Sequence, residues 1–404
     1  MKPQTVQSLL DLDFYKITMM QFFWKYFPEL KVKYQFKNRS TIDLKNYLTK
    51  EILDAEFKRI RELKFEECEL SYLKTIGVFE NDFIDYLRNY RLPNIIVTDS
   101  LEIYTDSNEY CKNSILWETI VLSAINQLYY EYKYPTRDLL SDEIFGLQTL
   151  NESLDILSEN KIKGLVTDFG TRRRFSHIWQ DKICSYISKH ESFGGTSNVY
   201  FAKRYNLKPI GTNAHELYQI LTGLYYGDLK GGHRKALDLW YDMYGEDLSI
   251  ALSDTYGTKY FLEDFTKERA MKWKGVRQDS GNPFDFGEKM IIYYESHGID
   301  SKTKLIVFSD GLDINKITKL YKQFNGRIKI AFGWGTKLTN NIGYETLSIV
   351  MKAYEITENM EKPMSSMLVK LSDNLNKAIG TEYEIARYKE VFGYINTQKE
   401  KLEV

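Results

Sequence analysis

Residues 304–336 read KLIVFSDGLDINKITKLYKQFNGRIKIAFGWGT. Lys304 to Phe308 is a short apolar run, which predicts a buried strand. The turn Ser309-Asp310-Gly311 follows, and Ile314, Ile317, Leu320 and Tyr321 then fall on one helical face. Ile328 to Phe332 predicts a second strand, closed by Gly333, Trp334, Gly335 and Thr336. Strand, helix and strand in this order make a βα unit feeding a parallel sheet.

Working outward, further strands are predicted at Gly164 to Thr167, Lys208 to Ile210, Leu248 to Leu252 and Lys274 to Val276. The starts at 248, 274, 304 and 328 keep the spacing of successive βα units. No GxGxxG follows a strand, which favours an α/β barrel over an open dinucleotide-binding sheet. The first third reads as α+β. Tyr15 to Phe27 is a helix apolar nearly all round, Lys31 to Phe36 alternates as a strand, Leu44 to Tyr90 is helical, and Ile95 to Tyr104 favours strands. A long apolar helix is predicted over Ile115 to Tyr134. The expected organisation is residues 1–114 in an α+β domain, 115–342 in the barrel and 343–404 rejoining the first domain.

The chain has 404 residues, with 55 Lys+Arg against 56 Asp+Glu. This balance excludes a protein held to nucleic acid mainly by charge. Cys68, Cys111 and Cys184 lie far apart, without disulfide or zinc spacing. Asp11, Asp13 and Lys16 interrupt the amino-terminal apolar residues too early for a secretory signal, and no run reaches a membrane span. A cytoplasmic protein is expected. Aromatic residues make up 15% and there are only 7 prolines, so closely packed domains with much Tyr and Phe in their cores are expected.

Polar residues collect just after the predicted strands, where a βα barrel places its active site. Asp168 to Gly170 leads into Arg172, Arg173 and Arg174, a cluster expected to face an anion because cations oppose the dipole of a helix start. Gly194 to Asn198 reads as a small polar loop. His215 opens a helix beside Glu216 and suits a nucleophile or base, whereas His177, His190, His233 and His297 read as structural. Asp254, Asp279 and Asp310 each end a strand beside a small residue, fit to meet hydroxyls or Mg²⁺. Gly333 to Thr336 offers backbone N–H groups to a phosphate.

These segments together resemble the nicotinate phosphoribosyltransferases. The match runs nearly the whole chain, through LLDLDFYKITMMQ at 9–21, ILWET at 115–119, TDFGTRRR at 167–174, FGGTSNVYFA at 193–202 and GTNAHE at 211–216. It continues through LSDTYGTKYFLEDF at 252–265, GVRQDSGNP at 275–283, FSDGLD at 308–313 and FGWGTKLTNN at 332–341. The resemblance implies an irregular α/β barrel packed on a sandwich domain built from both chain ends, and a homodimer with shared active sites. It also implies transfer of phosphoribose from 5-phosphoribosyl 1-diphosphate to nicotinate, coupled to ATP hydrolysis, with Mg²⁺ required.

By the same resemblance, His215 would be the phosphorylated histidine, and Arg277 and Asp279 would act with it in catalysis. Tyr15, reaching across the dimer, and Phe169 would sandwich the pyridine ring near Thr212. Arg277, with Arg173 second, would face the carboxylate. Asp310, Gly311, Gly333, Gly335 and Thr336 would bind phosphoribosyl diphosphate, with Mg²⁺ near Asp279 and Asp310. Asn282 stands where the family commonly has Asp. Transfer to nicotinamide or quinolinate, and a non-catalytic phosphosugar-binding barrel, are the competing readings; neither nucleic acid nor membrane is an expected partner.

Overall fold

In the computed structural model, which describes residues 4–357, 366–374 and 378–394, the fold is mixed α/β. The chain forms two compact units. One is built from Met1–Thr212, Gly311–Gln323 and Ile330–Lys352, the other from Asn213–Asp310, Phe324–Lys329 and Ala353–Val404. The strands are β1 (Val32–Asn38), β2 (Ile95–Val97), β3 (Ile103–Thr105), β4 (Val166–Asp168), β5 (Phe193–Thr196), β6 (Ile250–Leu252), β7 (Gly275–Gln278), β8 (Leu305–Phe308), β9 (Lys329–Trp334), β10 (Ile349–Ile356) and β11 (Ser366–Met367).

In the first unit the helix Phe14–Tyr26 is buried at every position from Phe14 to Phe23, as its all-round apolar sequence requires. The charge-rich stretch that follows β1 folds into amphipathic helices Lys50–Arg61, Glu67–Ile76 and Asn81–Asn89, each burying one stripe of Leu, Ile or Phe. β3 pairs antiparallel with both β1 and β2. The helix Trp117–Lys133 is buried from Trp117 to Tyr130. β4 lies between β5 and β9, parallel to both, with Asp168 in register with Thr196 and with Trp334.

In the second unit β7 lies between β6 and β8, again parallel, with Arg277 opposite Leu252 and Val307. The helix Ile291 belongs to, Pro283–Ser296, begins at Asn282, whose side chain accepts from Phe284 N at 2.9 Å. Proline at its first turn has no N–H to leave unsatisfied. Among the described residues, no helix is long and apolar enough to cross a membrane.

Two sequence expectations need correction. Residues Gly194 to Asn198 were expected as a loop, but Phe193–Thr196 is the strand β5. Its two glycines carry no side chain to alternate, and they are there for closeness. A Cβ on Gly194 would fall 2.7 Å from Gly164 O, and one on Gly195 would fall 2.2 Å from Lys208 O. Lys208 to Ile210 was expected as a strand, but only Pro209 makes an isolated bridge, to Thr196. Proline has no N–H with which to continue a ladder.

Candidate active site

Parallel strands end on one edge, so the residues following β6, β7 and β8 are neighbours in the second unit. There His215, first residue of the helix His215–Leu224, meets Asp254 from the turn after β6 and Asp279 from the turn after β7. His215 Nε2 lies 3.0 Å from Asp279 Oδ2 and 2.7 Å from Lys370 Nζ, while Nδ1 lies 3.1 Å from Thr255 Oγ1. Ser309 Oγ donates to the other oxygen of Asp279 at 2.9 Å. Arg277 Nη1 donates to Asn213 O at 3.2 Å, and its Nη2 stands 3.6 Å from Asp279. Its buried Nε has no hydrogen-bond partner among the described residues.

Burial, reinforced by the Lys370 ammonium, pushes the His215 imidazole down to about 4. The ring is therefore neutral near pH 7. In the tautomer that carries its proton on Nδ1, toward Thr255, Nε2 presents its lone pair to the Lys370 ammonium, the state a nitrogen nucleophile needs. Burial pushes the Asp279 carboxyl up, but the Arg277 guanidinium, with the Lys370 ammonium nearby, outweighs it and holds the group well below the usual carboxylate range. His215, Asp254 and Asp279 offer ligand atoms within 4.8 Å of one another. Asp254 Oδ1 is buried without a hydrogen-bond partner among the described residues, as suits a carboxylate with capacity left for a cation.

The first unit holds the other expected residues except Asp310. Phe169 follows β4 directly, and its amide donates to Trp334 O at 2.9 Å. Its ring packs against Gly333, where an added Cβ would come within 2.3 Å of Phe169 Cδ2. Gly311 takes a left-handed φ of 54°, which glycine adopts without strain. Tyr15 is packed so closely on Gly211 that a Cβ there would stand 3.2 Å from Tyr15 N, and Thr18 Oγ1 donates to Thr212 O at 2.7 Å. Thr336 opens the short helix Thr336–Thr339 after Gly335, and Asp310 sits half-buried just past β8 in the second unit.

The arginine cluster divides. Arg174 is fully buried and gives both terminal nitrogens to Asp11, at 2.6 and 2.8 Å, with Thr5 O and Gln180 as further acceptors. The expectation that it faces an anionic ligand is corrected, because its charge is spent inside the fold. Arg173 reaches the backbone at Ile349 O, 3.5 Å away. Arg172, whose side chain is 36% exposed, lies 3.2 Å from Asp13 with its guanidinium 5.7 Å from the Tyr15 ring centroid.

The sequence profile of the nicotinate phosphoribosyltransferase (NAPRTase) family matches residues 165–396, and that of the family's N-terminal domain matches residues 10–126. The chain belongs to the nicotinate phosphoribosyltransferase family. It is 37% identical over 400 residues to the nicotinate phosphoribosyltransferase of Burkholderia mallei, covering 96% of this chain and 97% of that one. That of Ralstonia nicotianae is 37% identical over 409 residues, covering 96% and 99%. The crystal structure of nicotinate phosphoribosyltransferase from Vibrio cholerae superposes with a TM-score of 0.87 at 31% identity, covering 97% of this chain and 95% of that one. The one from Porphyromonas gingivalis gives 0.85 at 30%, covering 96% and 100%.

In this member of the nicotinate phosphoribosyltransferase family, sequence reading singled out His215, Asp254, Arg277 and Asp279 but missed Lys370. That lysine lies in an undistinguished Lys-Leu-Ser segment far along the chain, and only the fold brings it to the imidazole. Thr255 and Ser309 were noted beside the strand-end aspartates, without the roles they take as hydrogen-bond partners of His215 and Asp279. The packing of Phe169 on Gly333 gives a direct test. Gly333→Ala should displace the aromatic ring and lower kcat/KM by about a hundredfold, as misplacement of a positioning group does, while the overpacking costs about 1–3 kcal/mol and leaves the protein folded at assay temperature. Steady-state kinetics beside thermal unfolding checks it, and unaltered kcat/KM would contradict the importance of that contact.

Proposed function

We propose that the protein transfers the phosphoribosyl group of 5-phosphoribosyl 1-diphosphate to nicotinate, giving nicotinate mononucleotide and pyrophosphate, in the salvage route to NAD. Family membership supports the reaction class. The observation that carries the coupling to ATP is the neutral His215 imidazole, held between Thr255, Asp279 and Lys370. In this reading His215 Nε2 attacks the terminal phosphorus of ATP and ADP departs, leaving a phosphohistidine beside the Lys370 ammonium. Hydrolysis of that phosphoryl group returns the imidazole and phosphate, so the free energy of ATP tightens substrate binding in one part of the cycle.

In the transfer step the pyridine nitrogen attacks C1 of ribose as the C1–oxygen bond to pyrophosphate breaks. The nitrogen has no proton to lose, so no general base is required. Catalysis rests on alignment and on stabilising charge at the leaving group. Tyr15 and Phe169 would hold the ring, with Thr212 near, and Arg277, whose Nε is left for an acceptor, would meet the carboxylate. Arg173 is the second candidate for that role. Asp310, Gly311, Gly333, Gly335 and Thr336 would take the phosphoribosyl diphosphate. Asp254 and Asp279 would hold Mg²⁺, with Asp310 a further candidate; the ion would neutralise phosphate charge.

The same reading includes an irregular barrel for the parallel strands, a cytoplasmic homodimer and Tyr15 serving the neighbouring subunit's site. The deciding experiment offers purified enzyme labelled nicotinate, nicotinamide and quinolinate side by side, with phosphoribosyl diphosphate, ATP and Mg²⁺. Mononucleotide is expected from nicotinate alone at an appreciable rate; equal turnover of nicotinamide would overturn the substrate assignment. Arg277→Ala should weaken nicotinate by roughly tenfold to a hundredfold, the worth of a charge-assisted contact. Its effect on nicotinamide inhibition should be slight, and equal losses would remove Arg277 from the carboxylate.

A further inference from the structure

We infer that Glu118 is a positioning residue for the phosphorylated substrate, its carboxylate holding Lys352 and Arg172 as a two-point cation clamp. The inference rests on the phosphoribosyl-transfer reading above. Glu118, from the helix Trp117–Lys133, is 1% exposed. One of its oxygens, Oε2, meets Lys16 Nζ at 2.5 Å, and that lysine is completely buried. The other, Oε1, accepts from Lys352 Nζ at 2.7 Å and has Arg172 Nη1 at 4.0 Å. Lys352 and Arg172 are the members that reach solvent, with side chains 16% and 36% exposed.

The charges do not cancel. Lys16, Lys352 and Arg172 stand against Glu118 and Asp13, so one positive charge remains. Burial pushes the Asp13 carboxyl up, against the Arg172 guanidinium, so its negative charge is the weaker of the two. Lys16 serves Glu118 from inside, whereas Lys352 donates to Oε1 and Arg172, paired more closely with Asp13 at 3.2 Å, stands 4.0 Å from the same oxygen. A nicotinate carboxylate needs one cation. Two cations drawn together by a shared counter-ion, with surplus charge, match the adjacent phosphate groups of a diphosphate. Arg172 also lies three residues beyond Phe169, with its guanidinium over the Tyr15 ring.

Without the carboxylate, Lys16, Lys352 and Arg172 would face one another with only Asp13 to offset them, and Lys352 would lose the acceptor that holds its ammonium. Glu118 itself need not touch substrate for its loss to be felt. The test measures kcat, both KM values and melting temperature for the wild type, Glu118→Gln, Glu118→Asp and Lys352→Met. Glu118→Gln is expected to raise the KM for phosphoribosyl diphosphate about tenfold, with kcat and the nicotinate KM within about twofold. Glu118→Asp, which keeps the charge on a shorter arm, should recover part of that rise. Lys352→Met alters a part-exposed group, so it should fold normally and raise the same KM, and it decides the matter should Glu118→Gln not fold. An unchanged KM for phosphoribosyl diphosphate in the folded variants, a rise confined to nicotinate, or a fall in kcat that tracks lost stability would each overturn the inference. A wild-type enzyme that makes no mononucleotide would instead overturn the underlying reading.

Discussion

Replacing His215 by alanine is expected to reduce substrate-stimulated ATP hydrolysis to background while leaving slow, uncoupled mononucleotide synthesis. The nitrogen that would accept the phosphoryl group is removed, and neither Thr255 nor Lys370 can substitute for it. Asp279 and Arg277 remain, and the transfer step itself requires no base. Loss of coupling should exceed a thousandfold, on the scale seen when a nucleophile is deleted. Transfer measured at saturating phosphoribosyl diphosphate should fall far less. Two measurements decide it: ADP release with and without nicotinate, and mononucleotide formed with and without ATP. ATP hydrolysis at the wild-type rate in the variant would refute the role assigned to His215. The pH profile supplies a second check. With its imidazole pushed down to about 4, against an ordinary value near 6.5, His215 stays neutral as pH falls through 6.5, so coupling should persist down to about pH 5.

Asp11→Ala is expected to cost about 3–5 kcal/mol of stability, among the largest effects of any single substitution. Asp11 is fully buried, accepts both terminal nitrogens of Arg174, and also meets His177 Nδ1 and Asn198 Nδ2, each at 2.8 Å. Removing the carboxylate leaves a buried guanidinium without its counter-ion. Urea unfolding should show the loss, and a change within 1 kcal/mol would refute the account. Asp11→Asn, which keeps the shape and discards the charge, should be nearly as damaging. Burial pushes the Asp11 carboxyl up, but Arg174 and His177 hold it far below the ordinary range. The stabilisation is therefore complete above about pH 4, the ordinary carboxylate value, and is lost as pH falls below it toward the depressed value.

The parallel strands were legible because each combines an apolar run with a small, polar turn at a regular interval, as in Leu305–Phe308 and Ser309 to Gly311. β5 was not, because Gly194 and Gly195 remove the side-chain pattern on which such a reading depends. His215 and Asp279 could be chosen from their places after strands. Lys370 could not, because nothing local separates it from other lysines of the chain, and its meaning is the 2.7 Å to His215 Nε2. The arginine run shows a different limit. Adjacent residues with one chemistry took separate tasks, Arg174 inside the fold and Arg172 near Tyr15, and neighbouring positions on a turn point in different directions.

The burial of Asp11 bears on how the chain is made. Its partners Arg174, His177 and Asn198 stand 163, 166 and 187 residues further on, so the ribosome releases the carboxylate long before anything can neutralise it. The Asp11 cluster cannot close as the amino-terminal helix emerges; it must wait until roughly half the polypeptide has been synthesised, and the first unit as a whole waits for its last segment, Ile330–Lys352. Until then the apolar helix Phe14–Tyr26 beside it lacks the packing that buries it in the finished fold.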